Sequence, residues 1–311
     1  MSKDFWQKIK KPIIALSPMD GYTDSAFRRV CKEINPEIIL FTEFASADGL
    51  HHGAKKLIEK FKFHKSESPI IAQIFGKNTD TFITAAQYCE DVGFSGVDIN
   101  MGCPAKKVVK SEHGVALRKK PELACKLVEA VAKSTNLPVS VKTRLGWDSA
   151  EDLIDFGRAI QNAGAQLITI HGRTYTQGFS DRADFQPIFE LKKTLNIPVL
   201  ANGDIRNIKD GISKTKGLNG FMIGRAAIGN PWVFAKNQPH SFKEKIPIIN
   251  KHAQYLFDSK GEKIGMLEIR KHLLAYVKNI PDAASYRSRL VSVTSLSKIH
   301  DIINDIAAKG Y

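Results

Sequence analysis

A cysteine held between a glycine and a proline is the residue in this sequence best placed to do chemistry. It lies in the stretch Gly96-Val97-Asp98-Ile99-Asn100-Met101-Gly102-Cys103-Pro104-Ala105-Lys106-Lys107-Val108. Val97 to Ile99 read as a short buried strand that ends at Asn100. Gly102 permits unusual φ values, while Pro104 fixes φ and removes an amide donor, so a tight turn follows. Pro104 also pushes Cys103 toward an extended conformation. The thiol therefore sits on a stiff loop at the carboxyl end of a strand, where parallel α/β folds place their chemistry. Filling space is the plain alternative for a loop cysteine.

The carboxyl ends of the other apolar runs carry a matching set of polar groups. They are Pro18-Met19 followed by Asp20, Gln73, Lys142, His171, Asn202-Gly203-Asp204 and Gly224-Arg225. In a barrel these ends converge on one mouth. Gly203 and Gly224 let backbone amides approach an anion, and Arg225 adds a charged donor, which reads as a phosphate site. Gln73, Lys142 and His171 suit a planar, electron-rich cofactor with a polar edge and developing negative charge. Flavin mononucleotide meets that description, although spacing alone does not name it. Arg144, Arg173 and Arg206 follow strands toward the same mouth and can meet a large anionic substrate.

Apolar runs at Ile13–Leu16, Ile38–Phe41, Ile70–Phe75, Gly96–Asn100, Val139–Val141, Leu167–Ile170, Val199–Ala201 and Gly220–Ile223 alternate with helical patterns. Their number and spacing predict a (β/α)8 TIM barrel over residues 1–235. A polar break at Lys236-Asn237-Gln238-Pro239-His240 opens a linker over 236–245. Beyond it Met266, Ile269, Leu273 and Val277, then Leu296, Ile299, Ile303 and Ile306, recur at helical spacing. Residues 246–311 therefore read as a small all-helical domain.

The 46 Lys and Arg against 32 Asp and Glu give a formal charge of +14, which favours a polyanionic partner, nucleic acid foremost. Residues 236–311 hold 13 Lys and Arg against 7 Asp and Glu, Arg270, Lys271, Arg287, Arg289 and Lys298 among them. The four cysteines have neither a zinc spacing nor a disulfide framework, so no metal site is expected. Cys31 and Cys89 fall on apolar helix faces, and Cys125 lies within a helix. No signal-peptide core and no bilayer-length apolar run are present, so the expectation is a cytoplasmic protein with no membrane contact, and a monomer.

Five motifs together resemble the tRNA-dihydrouridine synthases. They are Ser17-Pro18-Met19-Asp20-Gly21-Tyr22-Thr23-Asp24, Asp98-Ile99-Asn100-Met101-Gly102-Cys103-Pro104, Val141-Lys142-Thr143-Arg144-Leu145-Gly146-Trp147, His171-Gly172-Arg173-Thr174 and Ile223-Gly224-Arg225-Ala226-Ala227-Ile228-Gly229-Asn230-Pro231-Trp232. The resemblance implies an FMN enzyme that reduces a uridine in tRNA with NADPH. It implies that Pro18, Met19, Asp20 and Gln73 hold the flavin ring, with Lys142 and His171 at its polar edge. Asn202, Gly203, Asp204, Gly224 and Arg225 would hold the phosphate end. Cys103 would be the catalytic acid and Asn100 would lie beside the substrate base. The chain departs from the family at Arg118, which stands where an apolar residue often follows Gly114-Val115-Ala116-Leu117.

The implied reaction constrains the acid. Saturating the C5=C6 bond of uracil requires a hydride at C6 and a proton at C5. A thiol of ordinary pKa about 8.5 is mostly protonated near neutrality and can supply that proton. A uridine inside folded RNA must leave its stack to reach such a pocket, and phosphate contacts with the basic tail offset that cost. Two other readings stay open at this stage. One is a flavin barrel acting on a free pyrimidine, in the manner of a dihydroorotate dehydrogenase. The other is an RNA-binding protein with a relic flavin site.

Overall fold

The computed structural model describes residues 3–310. Its sheet is built from β1 (Ile13–Leu16), β2 (Leu40–Phe41), β3 (Ala45–Ser46), β4 (Ile70–Phe75), β5 (Gly96–Met101), β6 (Val139–Arg144), β7 (Leu167–His171), β8 (Val199–Asn202) and β9 (Gly220–Ile223). Every pairing is parallel. The order is β1-β9-β8-β7-β6-β5-β4-β2, and β3 also pairs with β4. β2 and β3 are thus two parts of one stave, and the nine strands make eight staves. A parallel bridge between Ala15 and Ile39 brings the first stave against the second and closes the ring. Each strand run read from the sequence is a stave of this (β/α)8 barrel.

Side-chain alternation along the strands separates two apolar regions. Outward residues such as Leu16, Leu40, Ile70, Ala72, Val97 and Val141 join the helices in the main core. Inward residues Ile13, Ala15, Ile39, Phe41, Ile71, Leu167, Leu200 and Met222 form a separate cluster with Trp6. Ile71, Leu167 and Leu200 precede the inward polar residues Gln73, His171 and Asn202 of their strands, so the cluster fills the amino-terminal end of the barrel lumen. Trp6, on the short helix Phe5–Lys8, is wholly buried and stacks on Phe41 with ring centroids 6.4 Å apart. It plugs the end opposite the mouth.

The tail is helical over Phe242–Tyr276, Ala283–Leu290 and Leu296–Ala308. Its first helix starts inside the stretch read as a linker, because Ser241 caps it by accepting from the Glu244 amide. Gly261, at φ 73°, interrupts that helix, so two helical segments follow one another. Met266, Ile269, Leu273, Val277, Ile299, Ile303 and Ile306 are buried, as their spacing predicts. The cluster they form also takes in Ala26 and Trp232 from the barrel. The tail is therefore cored partly by the barrel itself.

Removing the lumen plug tests this packing. Trp6→Ala should destabilise the protein by about 3–5 kcal/mol, the range for truncating a buried aromatic. Urea denaturation followed by far-UV circular dichroism measures it. A loss well under 1 kcal/mol would show that Trp6 is not part of the folded core.

Candidate active site

The lumen changes character toward the carboxyl ends of the strands. Register pairs Gln73 with Asp98, Asp98 with Ser140, Asn100 with Lys142, and His171 with Asn202. Paired residues in parallel strands face the same side, so these polar groups share the lumen. Above them opens a cavity of about 1170 Å³. Its wall includes Pro18, Met19, Asp20, Asn100, Cys103, Lys142, Arg144 and His171, and also Asn202, Gly203, Asp204, Arg206, Gly224 and Arg225. Gln73 and Arg173, of the candidate set, do not line it.

The Cys103 turn is held from below. Asn100 Oδ1 accepts from the backbone amides of Gly102 at 3.1 Å and Cys103 at 2.9 Å. Burial pushes the half-buried Cys103 thiol above its ordinary pKa, so it carries its proton at neutral pH. Cys31 and Cys89 are fully buried in the main core and lie away from the cavity wall. Gly114, at φ 61°, lies under the turn, where a side chain would meet the Cys103 carbonyl oxygen at 2.8 Å. Arg118 beyond it is buried without disturbing this packing. Its guanidinium lies 3.9 Å from the centre of the Phe156 ring and donates to Asp152 and to the Leu145 carbonyl. The planar cation replaces an apolar side chain by stacking.

Lys142 Nζ donates to Asn202 Oδ1 at 3.0 Å, while Asn202 Nδ2 donates to the Met222 carbonyl. Burial, then the charge of Arg144, brings the Lys142 ammonium down to about 8. Burial and the surrounding Lys142, Arg144, Arg173 and Arg225 hold His171 neutral, far below its ordinary pKa. One cation and one neutral imidazole thus stand side by side in the wall.

The arginines separate into two kinds. Arg144 is 2% exposed and donates to the carbonyls of Gly102, Thr174 and Gly178. Arg173, equally buried, donates to the Ser180 and Asp181 carbonyls and pairs with Asp204. Both fasten the loop that follows β7. Arg225 and Arg206 remain exposed at the rim, the first 3.2 Å from Asp204 Oδ1 and the second paired with Asp210. Asp204 therefore orients arginines with its carboxylate and leaves its backbone amide to the cavity. Gly224 lines the cavity, where a side chain would sit in ordinary contact with Ser17 Cβ at 3.5 Å and Met19 Sδ at 3.7 Å. A glycine in the wall next to an oriented arginine suits an anionic group. The residues present fit a planar cofactor with a phosphate end.

Several groups at this site escape sequence reasoning. Phe179 is 57% exposed in the cavity wall, with the guanidinium of Arg225 4.9 Å from its ring centre. It lies on an irregular loop, where no periodicity marks it. Lys60 pairs with Asp20 and Glu43, and Glu43 accepts from the Gly21 amide, fixing the first mouth loop. Asp98 carries a sequence signal, a lone carboxylate within an otherwise apolar strand two residues before Asn100.

Comparison with known proteins bears on this geometry. The chain matches the family described as Dihydrouridine synthase (Dus) over residues 14–309. A probable tRNA-dihydrouridine synthase 1 from Synechocystis is 37% identical over 302 residues, covering 93% of this chain and 84% of that protein. A probable tRNA-dihydrouridine synthase from Rickettsia conorii is 34% identical, covering 88% of this chain and 87% of that protein. Among solved structures, an old yellow enzyme homologue from Zymomonas mobilis aligns over 72% of this chain and 87% of its own. That alignment has 14% identity and a TM-score of 0.49.

The brace on the loop after β7 is testable without any ligand. Arg173→Ala removes charged hydrogen bonds worth about 1.5–3 kcal/mol each. Trypsin cleavage at the exposed Arg182 of that loop should then rise roughly tenfold or more, since cutting follows the population of the open form. Cleavage at the wild-type rate would show that the loop is held by other contacts.

Proposed function

The chain belongs to the dihydrouridine synthase family, and from that premise we propose that it reduces the C5=C6 bond of a uridine in tRNA, with FMN in the mouth, NADPH as reductant and Cys103 as proton donor. The observation that carries the reading is the meeting of a protonated thiol, a buried lysine and an anion-binding end in one cavity. The family match extends to residue 309, through the helical tail, which a reductase of a free pyrimidine has no need of.

The residues divide the work by chemistry. Gly203, Gly224, Arg225 and the Asp204 amide would hold the phosphate. Pro18, Met19, Lys142, His171 and Asn202 would border the isoalloxazine and ribityl parts, and Asp20 stands beside them on the same loop. Gln73 supports that floor through Asn100. Bound flavin, once reduced, supplies the hydride that C6 of the base receives. Cys103 gives the proton to C5 and returns to neutrality by taking one from water. Lys142, cationic below about pH 8, stabilises negative charge that develops beside it. Asn100 has its side-chain oxygen occupied by the turn, and so keeps Cys103 facing the cavity.

The substrate is gripped by charge outside the cavity. Arg206 stands at the rim, and the tail adds Lys271 and Arg287. Arg144 and Arg173 fasten the loop after β7, and Arg144 also lines the cavity, where it can meet substrate. Arg270 and Arg289 in the tail likewise have internal partners, the Val293 carbonyl and Asp305. Among the described residues no helix is long and apolar enough to cross a membrane, and no cluster with the makings of a metal site occurs.

Two variants separate cofactor binding from proton delivery. Arg225→Ala should weaken FMN binding by about 1.5–3 kcal/mol, for one lost charged hydrogen bond, measured by flavin fluorescence titration. Unchanged affinity would move the phosphate elsewhere. Cys103→Ala should keep its flavin and lose roughly 10²–10⁴-fold in dihydrouridine formation, the share that positioned acid catalysis contributes. Mass spectrometry of nucleosides from treated tRNA reads the product. Formation at the wild-type rate would make another group the acid.

A further inference from the structure

A carboxylate can only accept hydrogen bonds, and a buried one imposes that polarity on its neighbours. Asp98 is 0% exposed in the middle of β5. Its Oδ1 accepts from the Ser140 hydroxyl at 2.6 Å, and its Oδ2 accepts from Gln73 Nε2 at 2.7 Å. With its amide nitrogen turned to Asp98, Gln73 must present Oε1 on the other side. There it accepts from Asn100 Nδ2 at 2.9 Å. Asn100 must then present Oδ1 to the turn, where the two amides of Gly102 and Cys103 need an acceptor. In the reverse polarity the Asn100 amide nitrogen would face two backbone donors, and all three would lose a partner.

We propose that Asp98 is a positioning residue, whose buried carboxylate sets the direction of the Gln73–Asn100 amide chain and so holds the Cys103 turn in the geometry that proton delivery requires. The proposal rests on the reading of Cys103 as the proton donor. Asp98 and Gln73 do not line the cavity; their hydrogen bonds reach it through Asn100 and the Cys103 turn, and the Asp98 charge also faces Lys142 of the wall. A neutral amide at position 98 could present either its nitrogen or its oxygen to Gln73, because the Ser140 hydroxyl can donate or accept. The direction of the chain would then be set from the turn end alone, without the carboxylate's demand at the other.

The same carboxyl gives the arrangement a pH dependence. Burial raises Asp98 to about 6, against the hydrogen bonds from Ser140 and Gln73 and the charge of Lys142, the charged group facing it from β6. Above that pH the group is ionised and accepts only. Below it the carboxyl carries a proton and can donate, so its demand for that polarity weakens as pH falls.

The test uses the full-length flavoprotein and two readouts. The first is dihydrouridine formation as a function of pH. Wild type should lose activity on the acid side of about pH 6. Ser140→Ala, which removes a hydrogen bond that favours the ionised form, should move that limb to higher pH. Asp98→Asn should abolish the limb and lower turnover at neutral pH by about 10²-fold, the scale of a misplaced catalytic group, with the KM for tRNA within about twofold. The second readout is the rate of Cys103 alkylation by iodoacetamide, followed by mass spectrometry of its peptide. It should rise severalfold in Asp98→Asn, while the core cysteines Cys31 and Cys89 stay unmodified. Wild-type labelling together with a wild-type acid limb in Asp98→Asn would overturn the proposal. If Cys31 and Cys89 become labelled as well, that variant has unfolded and Ser140→Ala decides, an unmoved limb and unmoved labelling overturning it. If the wild type forms no dihydrouridine, the functional reading fails and the labelling readout alone decides on positioning.

Discussion

In a parallel barrel a one-residue slip of any strand turns its inward side chains outward, and β5 is the stave where such a slip would be least tolerable. In the observed register Asp98 and Asn100 face the lumen, and Val97 and Ile99 face the helices. A slip would put a carboxylate and an amide among apolar helix faces with no partners. Leaving one such group unsatisfied costs about 1–3 kcal/mol, and more for a charge. It would also bring two aliphatic side chains against Gln73, Ser140 and Lys142. The polar lumen therefore fixes the register as firmly as the hydrophobic core does, and it places Cys103 at the mouth as a consequence. Fold and site share one constraint.

The lumen layers follow from how far each inward residue sits along its stave. Trp6 and the apolar cluster close the amino-terminal end and keep water from the polar groups above. Gln73, Asp98 and Ser140 form a satisfied polar floor. Asn100, Lys142, His171 and Asn202 then meet the cavity. A dry floor is what lets burial raise Asp98 and lower Lys142 and His171. The same desolvation keeps the thiol of Cys103 protonated and the imidazole neutral, so the mouth offers a proton and a cation.

The staves and the mouth were legible in the sequence because both obey short-range rules. Apolar runs bounded by turn residues gave all eight staves, and polar residues at their carboxyl ends gave most of the cavity wall. What stayed hidden depends on pairing across the sheet. Gln73 read as a cofactor contact because its strand position pointed to the lumen. Its depth, one layer below the mouth, is set by register with Asp98. Arg144 and Arg173 read as substrate contacts for their charge; that each buried guanidinium also donates to backbone carbonyls of the loop after β7, Arg144 from 30 residues upstream and Arg173 from within the loop, needs the fold. Sequence supplies the donor; only the fold supplies its acceptors. The first tail helix starts at Phe242, within the polar stretch, because Ser241 caps it, a local signal that the polar residues around it obscure.

The tail is seated on the mouth itself. Asp24 ends the first mouth loop, caps the helix Ser25–Ile34 through the Phe27 amide and pairs with Lys260 of the tail. Against the pull of burial, Lys260 and the hydrogen bond from the Phe27 amide hold it near 2. The imidazoles of His252 and His272 are buried and pack on Phe27, and burial keeps them neutral, His252 at about 4 and His272 well below its ordinary value. Tyr22, from the same loop, lines the cavity and meets the edge of His272, with Lys271 above its ring. One loop of the barrel therefore forms part of the cavity wall and part of the seat of the tail.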